Sequence, residues 1–242
     1  MAQNKFLHIY EILKARIAND YYSDTMLLPT EMTLVEEFNV SRNTVRRAIQ
    51  KLNEDGLVYS VKGRGVVILE STKKDNMYVP LSNFQGFNTL NTSKNAESKS
   101  IVKAFKEVII DENLAEQTSF DAGETAYFIE RIRIVDSTKV MYDSSYFRAN
   151  IVENLTEEIA HGSIYSYIRE TMGIQIASAK TFLKVETAIA KDMEYLDLDG
   201  NNCVGVAENF VYTDMGKLFE YTEIRFIPNK FVITNFAQNI TD

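Results

Sequence analysis

Between Pro29 and Gly65 the chain reads PTEMTLVEEFNVSRNTVRRAIQKLNEDGLVYSVKGRG, and few folds accommodate that order of signals. Thr30 follows a proline and is a good helix N-cap, and Glu31 suits the positive start of a helix. Leu34, Val35 and Phe38 give this short helix one apolar face. The turn Asn39–Val40–Ser41 ends it. Ser41 then caps another helix, in which Val45, Ile49 and Leu52 recur at helical spacing. Gly56 supplies a left-handed residue to stop that helix. LVYSV and VVIL follow as strands around the tight turn KGRG. Upstream, Phe6, Ile9, Leu13 and Ile17 mark a first helix over 5–18, joined by the loop NDYYSDTMLLP. The order helix, helix, short turn, helix, hairpin is that of a winged helix–turn–helix, an architecture that binds DNA.

The charge distribution points the same way. The 242 residues hold 26 Lys and Arg against 34 Asp and Glu, a net charge of −8. Residues 1–70 are neutral, with nine of each sign, so the whole acidic excess lies in 71–242. Within 41–65 six basic residues meet two acids, a local charge of +4. Local charge decides contact with a polyanion, because screening at physiological salt cuts off interactions beyond roughly 8 Å.

On the third helix Arg42 and Arg46 are i, i+4 neighbours, as are Asn43 and Arg47. Arg42 and Asn43 lie in the first turn, the part of a recognition helix that reaches base edges: arginine suits guanine, asparagine adenine. Arg46, Arg47 and Lys51, with the Ser41 and Thr44 hydroxyls, are placed for phosphates. At the wing tip Lys62, Gly63, Arg64 and Gly65 allow a close backbone approach and offer an arginine to a narrow minor groove. Thr30 and Glu31 complete the candidate DNA-contact set. A basic helix alone could equally be a solvated face. The preceding helix, the turn length, the stop glycine and the glycine wing together favour DNA.

The segment LLPTEMTLVEEFNVSRNTVRRAIQKLNEDGLVYSVKGRGVVI also resembles the winged-helix domain of GntR-type bacterial transcription regulators, whose hallmarks are L-P-S/T-E, S-R-x-T-V-R-x-A and a K-G-x-G wing. The resemblance covers residues 5–70. Relatives often carry a base-contacting arginine after the P-S/T-E glutamate; Met32 stands there in this chain, so no role is carried onto it.

Residues 71–80, STKKDNMYVP, read as a linker, and 81–242 as an α+β effector-binding and dimerisation domain. Strands are predicted at IVKAFKEVII, TAYFIERIRIVD, KVMYDSSYFR, IQIASAKTFLKVE, within CVGVAENFVYTDMGKLFEYTEIRFI on both sides of Met215–Gly216, and near FVITNF. Helices are predicted at DENLAEQTSF (capped by Asp111), GSIYSYIRETMG (opened by Ser163, closed by Gly173) and AKDMEYLDL. In TAYFIERIRIVD the strand period of two puts Arg131 and Arg133 on one face with Tyr127, Ile129 and Val135, and turns Glu130 away. Two arginines on one sheet face call for an anionic partner, either a local carboxylate or a bound anion. Arginine forks suit phosphate, and a helix start at Ser163, with Tyr165 nearby, would add donors.

This half resembles the effector domain of the HutC subfamily of GntR regulators (the UTRA domain), whose mixed sheet is like that of chorismate lyase. RIRIVD, DSSYF, SIYSYI and EYTEIRF fall in the subfamily's order. The resemblance implies a sugar phosphate effector, with Arg131, Arg133 and Ser163 on the phosphate, Asp143 and Glu223 on sugar hydroxyls, Phe231 stacked on a sugar face, and Phe84 and Gln85 lining the other side. Asp143 and Phe231 depart from the glutamate and tyrosine usual at those positions. Within the subfamily the chain is similar to the trehalose-operon repressors, which implies trehalose 6-phosphate; residue chemistry alone does not separate it from another sugar phosphate, such as an amino-sugar 6-phosphate.

Other classes fit less well. A lyase-like enzyme would need catalytic groups, but the sequence has no G-x-S-x-G elbow and no P-loop. One cysteine, Cys203, and two separated histidines, His8 and His161, do not make a metal site. Neither a cofactor nor catalysis is expected, and an architectural DNA protein would not confine its basic charge to one segment. The single cysteine suits a reducing compartment, and no apolar run is long enough to span a bilayer, so a soluble cytoplasmic protein is expected. The expectation is a homodimeric repressor whose two winged helices read operator half-sites and whose effector domains dimerise.

Overall fold

The structure is a computed structural model and describes residues 2–70, 77–80 and 98–234. The chain divides into two compact units, one carrying the N-terminal helices and wing, the other the main sheet.

In the first unit, helices α1 (Ala2–Ala18), α2 (Glu31–Phe38) and α3 (Arg42–Glu54) precede the hairpin β1 (Val58–Val61) and β2 (Gly65–Ile68). Both predicted caps form: Thr30 Oγ1 accepts from the Thr33 amide at 3.2 Å, and Ser41 Oγ from the Thr44 amide at 3.3 Å. Asn39 takes the left-handed conformation that ends α2, and Gly56 (φ 67°) follows α3 in the same conformation. Ile9 and Leu13 of α1 pack with Leu34, Val45, Ala48, Leu52 and Val58 in one core. Fully burying a large apolar side chain contributes about 1.5–3 kcal/mol, so this stripe fixes which face of α3 is left outside. The expected loop before α2 also joins the wing: Leu28 donates to the Val66 carbonyl at 2.9 Å, and Ile68 to that of Met26 at 2.8 Å.

In the second unit, β4 (Ser98–Ile109), β5 (Thr125–Val135), β6 (Thr138–Arg148), β7 (Ile176–Thr187), β8 (Cys203–Thr213) and β9 (Leu218–Phe226) form a six-stranded sheet in the order β4-β5-β6-β9-β8-β7. The expected mixed sheet is instead antiparallel at every pairing; short hairpin connections join β5 to β6 and β8 to β9, and a longer one that carries a helix joins β7 to β8. Asp136 and Ser137, both at positive φ, make the tight β5–β6 turn. Helices α4 (Glu112–Thr118), α5 (Glu157–His161), α6 (Ile164–Ser166) and α7 (Ala190–Tyr195) complete the unit. The single helix expected from Ser163 to Gly173 is one α-helical turn continued by a π-helical turn, Tyr167–Thr171. Met77–Pro80 (β3), placed in the expected linker, is a strand paired with β10 (Phe231–Thr234). That pairing joins segments remote in sequence, so local composition did not carry it. Among the described residues no helix is long and apolar enough to cross a membrane, and no cluster of His, Cys, Asp and Glu could hold a metal ion.

Candidate functional site

Two groups of side chains stand out, one in each unit. On α3 the residues opposite the core stripe, Arg42, Asn43, Arg46 and Arg47, are exposed. Glu31, in the first turn of α2, organises two of them. Its carboxylate accepts from Arg42 Nε at 2.5 Å and from Arg46 Nε at 3.0 Å. The Arg42 bond chiefly holds this carboxyl below its ordinary range; burial opposes and the Arg46 bond assists. Each arginine is engaged through Nε, so its terminal nitrogens stay available. An exposed ion pair contributes little stability; its effect here is to orient two forks. The Asn43 side chain is exposed beside them.

Arg47 and Lys51 differ from their neighbours. The Arg47 guanidinium lies over the Phe6 ring of α1, 4.1 Å from its centroid. The Lys51 ammonium sits 5.0 Å over the Tyr10 ring and 3.9 Å from Asp55, with its side chain 18% exposed. Lys51, expected on phosphates, is thus drawn back against α1. At the wing tip Lys62, Gly63, Arg64 and Gly65 are all exposed, with Gly63 and Gly65 at φ 79° and 110°. A side chain at either glycine would be strained. His8 is exposed, and Cys203 is half-buried at the start of β8.

In the second unit, cross-strand partners share a sheet face, so the register maps the site. Arg131 stands directly opposite Asp143. Arg131 Nε donates to Asp143 Oδ2 at 2.9 Å and Arg133 Nε to Oδ1 at 2.8 Å. Arg133 also donates to Ser100 Oγ at 2.5 Å. A local carboxylate therefore does meet the pair, but one carboxylate faces two guanidiniums, and all three are buried. Burial pushes the Asp143 carboxyl up, yet the two arginines outweigh it and hold it below its ordinary range. Asp143, expected on sugar hydroxyls, has both oxygens committed to arginine.

Tyr165 reaches the same face from α6. Burial, then the neighbouring Glu220 carboxyl, push its phenol well above the usual value. Ser163 caps α6, its Oγ accepting from the Ser166 amide at 3.2 Å, so it heads the helix that delivers Tyr165. Glu220 is the acid that sequence reasoning missed. It pairs with Phe147 and Val211 in register, and Thr222 donates to it at 2.6 Å. Burial, partly offset by hydrogen bonds from Thr222 and Tyr165, raises its carboxyl to about 7.

Glu223 lies on the other face. It forms a cross-strand row with Glu130, Ser144 and Glu208 and stands 3.6 Å from Arg225. The structure thus does not bring Glu223 to the arginines. The two acids of LFEYTEIRF differ in strand parity, so only one of them could share that face; this was the available signal. Phe231 is buried against Phe226, ring centroids 5.2 Å apart, in a core cluster with Tyr142 and Ile227. The two rings meet edge to face, at 66°. Phe84 and Gln85 lie outside the described residues. The site that assembles is Arg131, Arg133, Asp143, Tyr165 and Glu220, with Ser163 at the head of α6.

Comparison with known proteins bears on both units. Residues 5–68 match the gntR family of bacterial regulatory proteins, and residues 93–232 match the UTRA domain. The chain is 31% identical over 238 residues to the HTH-type transcriptional regulator TreR of Bacillus subtilis (strain 168), covering 98% of this chain and 99% of that protein. Among solved structures, the possible transcriptional regulator YydK of B. subtilis has the same fold, with TM-score 0.75 and 24% identity over 97% of this chain and 99% of that one. The effector-binding domain of the B. subtilis trehalose repressor superposes with TM-score 0.54 and 31% identity over 59% of this chain and 99% of that domain.

Proposed function

The chain belongs to the gntR family of bacterial regulatory proteins and carries a UTRA domain, and from that premise we propose that it represses a sugar-utilisation operon and is released from DNA by trehalose 6-phosphate. It is a transcriptional regulator, like its near-full-length relative, and not an enzyme. In the proposed mechanism it acts in the cytoplasm as a homodimer, and two winged helices read the half-sites of a near-palindromic operator. Arg42 and Asn43 contact base edges. Arg46, Arg47, Ser41 and Thr44 contact the DNA phosphates, the Lys62–Gly65 wing offers Arg64 to the minor groove, and Glu31 sets the two arginine forks.

One observation carries the effector reading: Arg131 and Arg133, both buried, converge on the carboxylate of Asp143 and so stand side by side on one sheet face. Two neighbouring guanidinium forks suit phosphate, whose oxygens they engage bidentately. Ser163 and Tyr165 add hydroxyls from α6. Glu220, near half-protonated at neutral pH, both donates to and accepts from sugar hydroxyls. Release follows if the effector binds the dimer shape that no longer fits the operator more tightly than the shape that does.

The test is a pair of titrations on the full chain. Fluorescence anisotropy with promoter DNA from sugar-utilisation genes measures binding and its reversal; thermal shift ranks trehalose 6-phosphate, trehalose, glucose 6-phosphate and glucosamine 6-phosphate. Trehalose 6-phosphate is expected to raise Tm most and to dissociate the complex. A response to glucosamine 6-phosphate alone would transfer the assignment to an amino-sugar phosphate.

A further inference from the structure

The face that carries Arg131 and Arg133 does not end at those residues. In the row next to Arg131–Asp143, Ser145 stands opposite Thr222, Thr222 opposite Asn209 and Asn209 opposite Thr181, so four polar side chains cross β6, β9, β8 and β7 in unbroken register. Thr222 donates to Ser145 Oγ or to Glu220, the oxygens lying 2.9 and 2.6 Å away, and Thr181 donates to Asn209 Oδ1 at 2.7 Å. Ser145, Thr222 and Asn209 are 0%, 5% and 3% exposed. A polar row of this kind is unusual for the inner face of a sheet, where apolar side chains would pack at no desolvation cost. With its oxygen taken by Thr181, the Asn209 amide nitrogen has no partner among the described residues and is not fully buried, so it is open to an outside acceptor.

The row has a direction and a length. It begins beside Asp143, the carboxylate between the two arginines, and runs to the edge strand. Strands lie ~4.8 Å apart, so Thr181 is about three strand spacings, ~14 Å, from Ser145. One hexose ring covers roughly one such spacing. A monosaccharide phosphate anchored at Arg131 therefore ends over β6 and β9 and leaves Asn209 and Thr181 uncovered. Alongside the row the floor is apolar and thin: Ile224 and Ala207 form the next rank, and the Phe226 ring lies across Gly205, where an added Cβ would meet it at 2.2 Å. A flat apolar floor beside a line of hydroxyl and amide groups suits a pyranose ring, which has a C–H face and a hydroxyl rim.

We propose that Asn209 and Thr181 form a second sugar subsite, so that the effector is selected as a disaccharide phosphate over a monosaccharide phosphate. The inference rests on the phosphate end lying at Arg131 and Arg133. In the bound state the Asn209 amide donates to a hydroxyl of the distal ring, and Thr181 holds the Asn209 carboxamide in the orientation that presents it.

Isothermal titration of the full chain with trehalose 6-phosphate and with glucose 6-phosphate gives two Kd values, and their ratio measures selection of the second ring. The wild type is expected to prefer the disaccharide phosphate. In Asn209→Leu/Thr181→Val, which replaces both partners by apolar side chains of similar size, the ratio is expected to fall by at least about tenfold, the worth of one or two buried hydrogen bonds. The unliganded melting curve confirms that the variant is folded, and the single variant Thr181→Val, expected to give a smaller fall, serves if it is not. A ratio unchanged in folded variants, or a wild type that prefers glucose 6-phosphate, overturns the second subsite and leaves the phosphate end standing. A wild type that binds neither compound overturns both.

Discussion

Glu220 and Glu223 are three residues apart on β9 and lie on opposite faces of the sheet, Glu220 with Phe147 and Val211, Glu223 with Ser144 and Glu208. The pairing of β8 with β9 skips Phe219, a β-bulge that places Phe219 and Glu220 together over the α6 side. From Glu220 to Glu223 the register is regular, so strand parity decides which carboxyl enters the arginine site. Glu220 is deeply buried, with its carboxyl raised to about 7, and Glu223 on the other face stands beside Arg225.

Glu220 should make stability fall as pH rises. Its folded carboxyl titrates at about 7, above the ordinary glutamate value. Between those values the folded state binds more protons than the unfolded one, so unfolding becomes easier with rising pH, by about 3 kcal/mol in all. The penalty is absent below the ordinary value and fully present above about 7. Glu220→Gln removes it. The Tm of the variant minus that of the wild type is expected to be small at acid pH and to grow through neutrality; melting curves that stay parallel across the range would refute the assignment.

The arginine pair should separate effector response from DNA binding. Arg131→Ala is expected to raise the Kd for the sugar phosphate by at least about tenfold, as loss of a charged hydrogen bond predicts, while operator affinity in the absence of effector stays near that of the wild type. Arg131→Ala/Arg133→Ala also strands Asp143 without a cation, at about 3–5 kcal/mol. That double variant should therefore be made together with Asp143→Asn. If DNA is still released at the wild-type effector concentration, the phosphate does not bind at these arginines.

Much of the fold was legible because its signals are local. Thr30, Ser41 and Asp111 cap helices from their own next turn, and Gly56 follows α3 in the left-handed conformation. Arg131 and Arg133 share a face because strand parity is local as well. What stayed hidden depends on pairing between distant segments. The carboxylate that meets the arginines comes from β6, and its commitment to both is a matter of register. The strand Met77–Pro80 exists by virtue of β10. Lys51 is withdrawn from the basic face by Tyr10 and Asp55, of which Tyr10 belongs to a different helix.

On the DNA side, Arg42→Ala is expected to cost about 1–3 kcal/mol in operator affinity and to relax specificity at one base position. Arg46→Ala should weaken all duplexes alike and reduce the salt slope by about one. Glu31→Gln separates orientation from charge. It removes a negative charge from the binding face, so affinity for a scrambled duplex should not fall. It also leaves one acceptor oxygen where there were two and removes the ion pair, so the two forks are no longer held together, and the ratio of operator to scrambled affinity should drop. Anisotropy titrations at several salt concentrations distinguish these outcomes; an unchanged ratio would show that Glu31 does not position the arginines.

The opposite sheet face supplies a test of architecture independent of either ligand. Asp192 is fully buried and receives Arg225 in a two-pronged pair, Nε at 2.8 Å and a terminal nitrogen at 2.9 Å. Tyr142 donates to the same carboxylate at 2.9 Å and the Ile189 amide at 2.9 Å, which pins α7 to β6 and β9. Burial works against ionisation, but these donors hold Asp192 below its ordinary range. Breaking the pair from one side leaves an uncompensated charge, so Asp192→Ala is expected to destabilise the chain by about 3–5 kcal/mol. Arg225 keeps Glu186 at 2.7 Å and is partly rescued, so Arg225→Met, which leaves Asp192 with only neutral donors, should cost at least as much as Asp192→Ala. Replacing both by apolar residues, Asp192→Leu with Arg225→Met, should recover part of the loss, because no buried charge is then left alone. Urea unfolding of the two single variants and the double gives the coupling directly, and strictly additive losses would mean that the pair does not act as a unit.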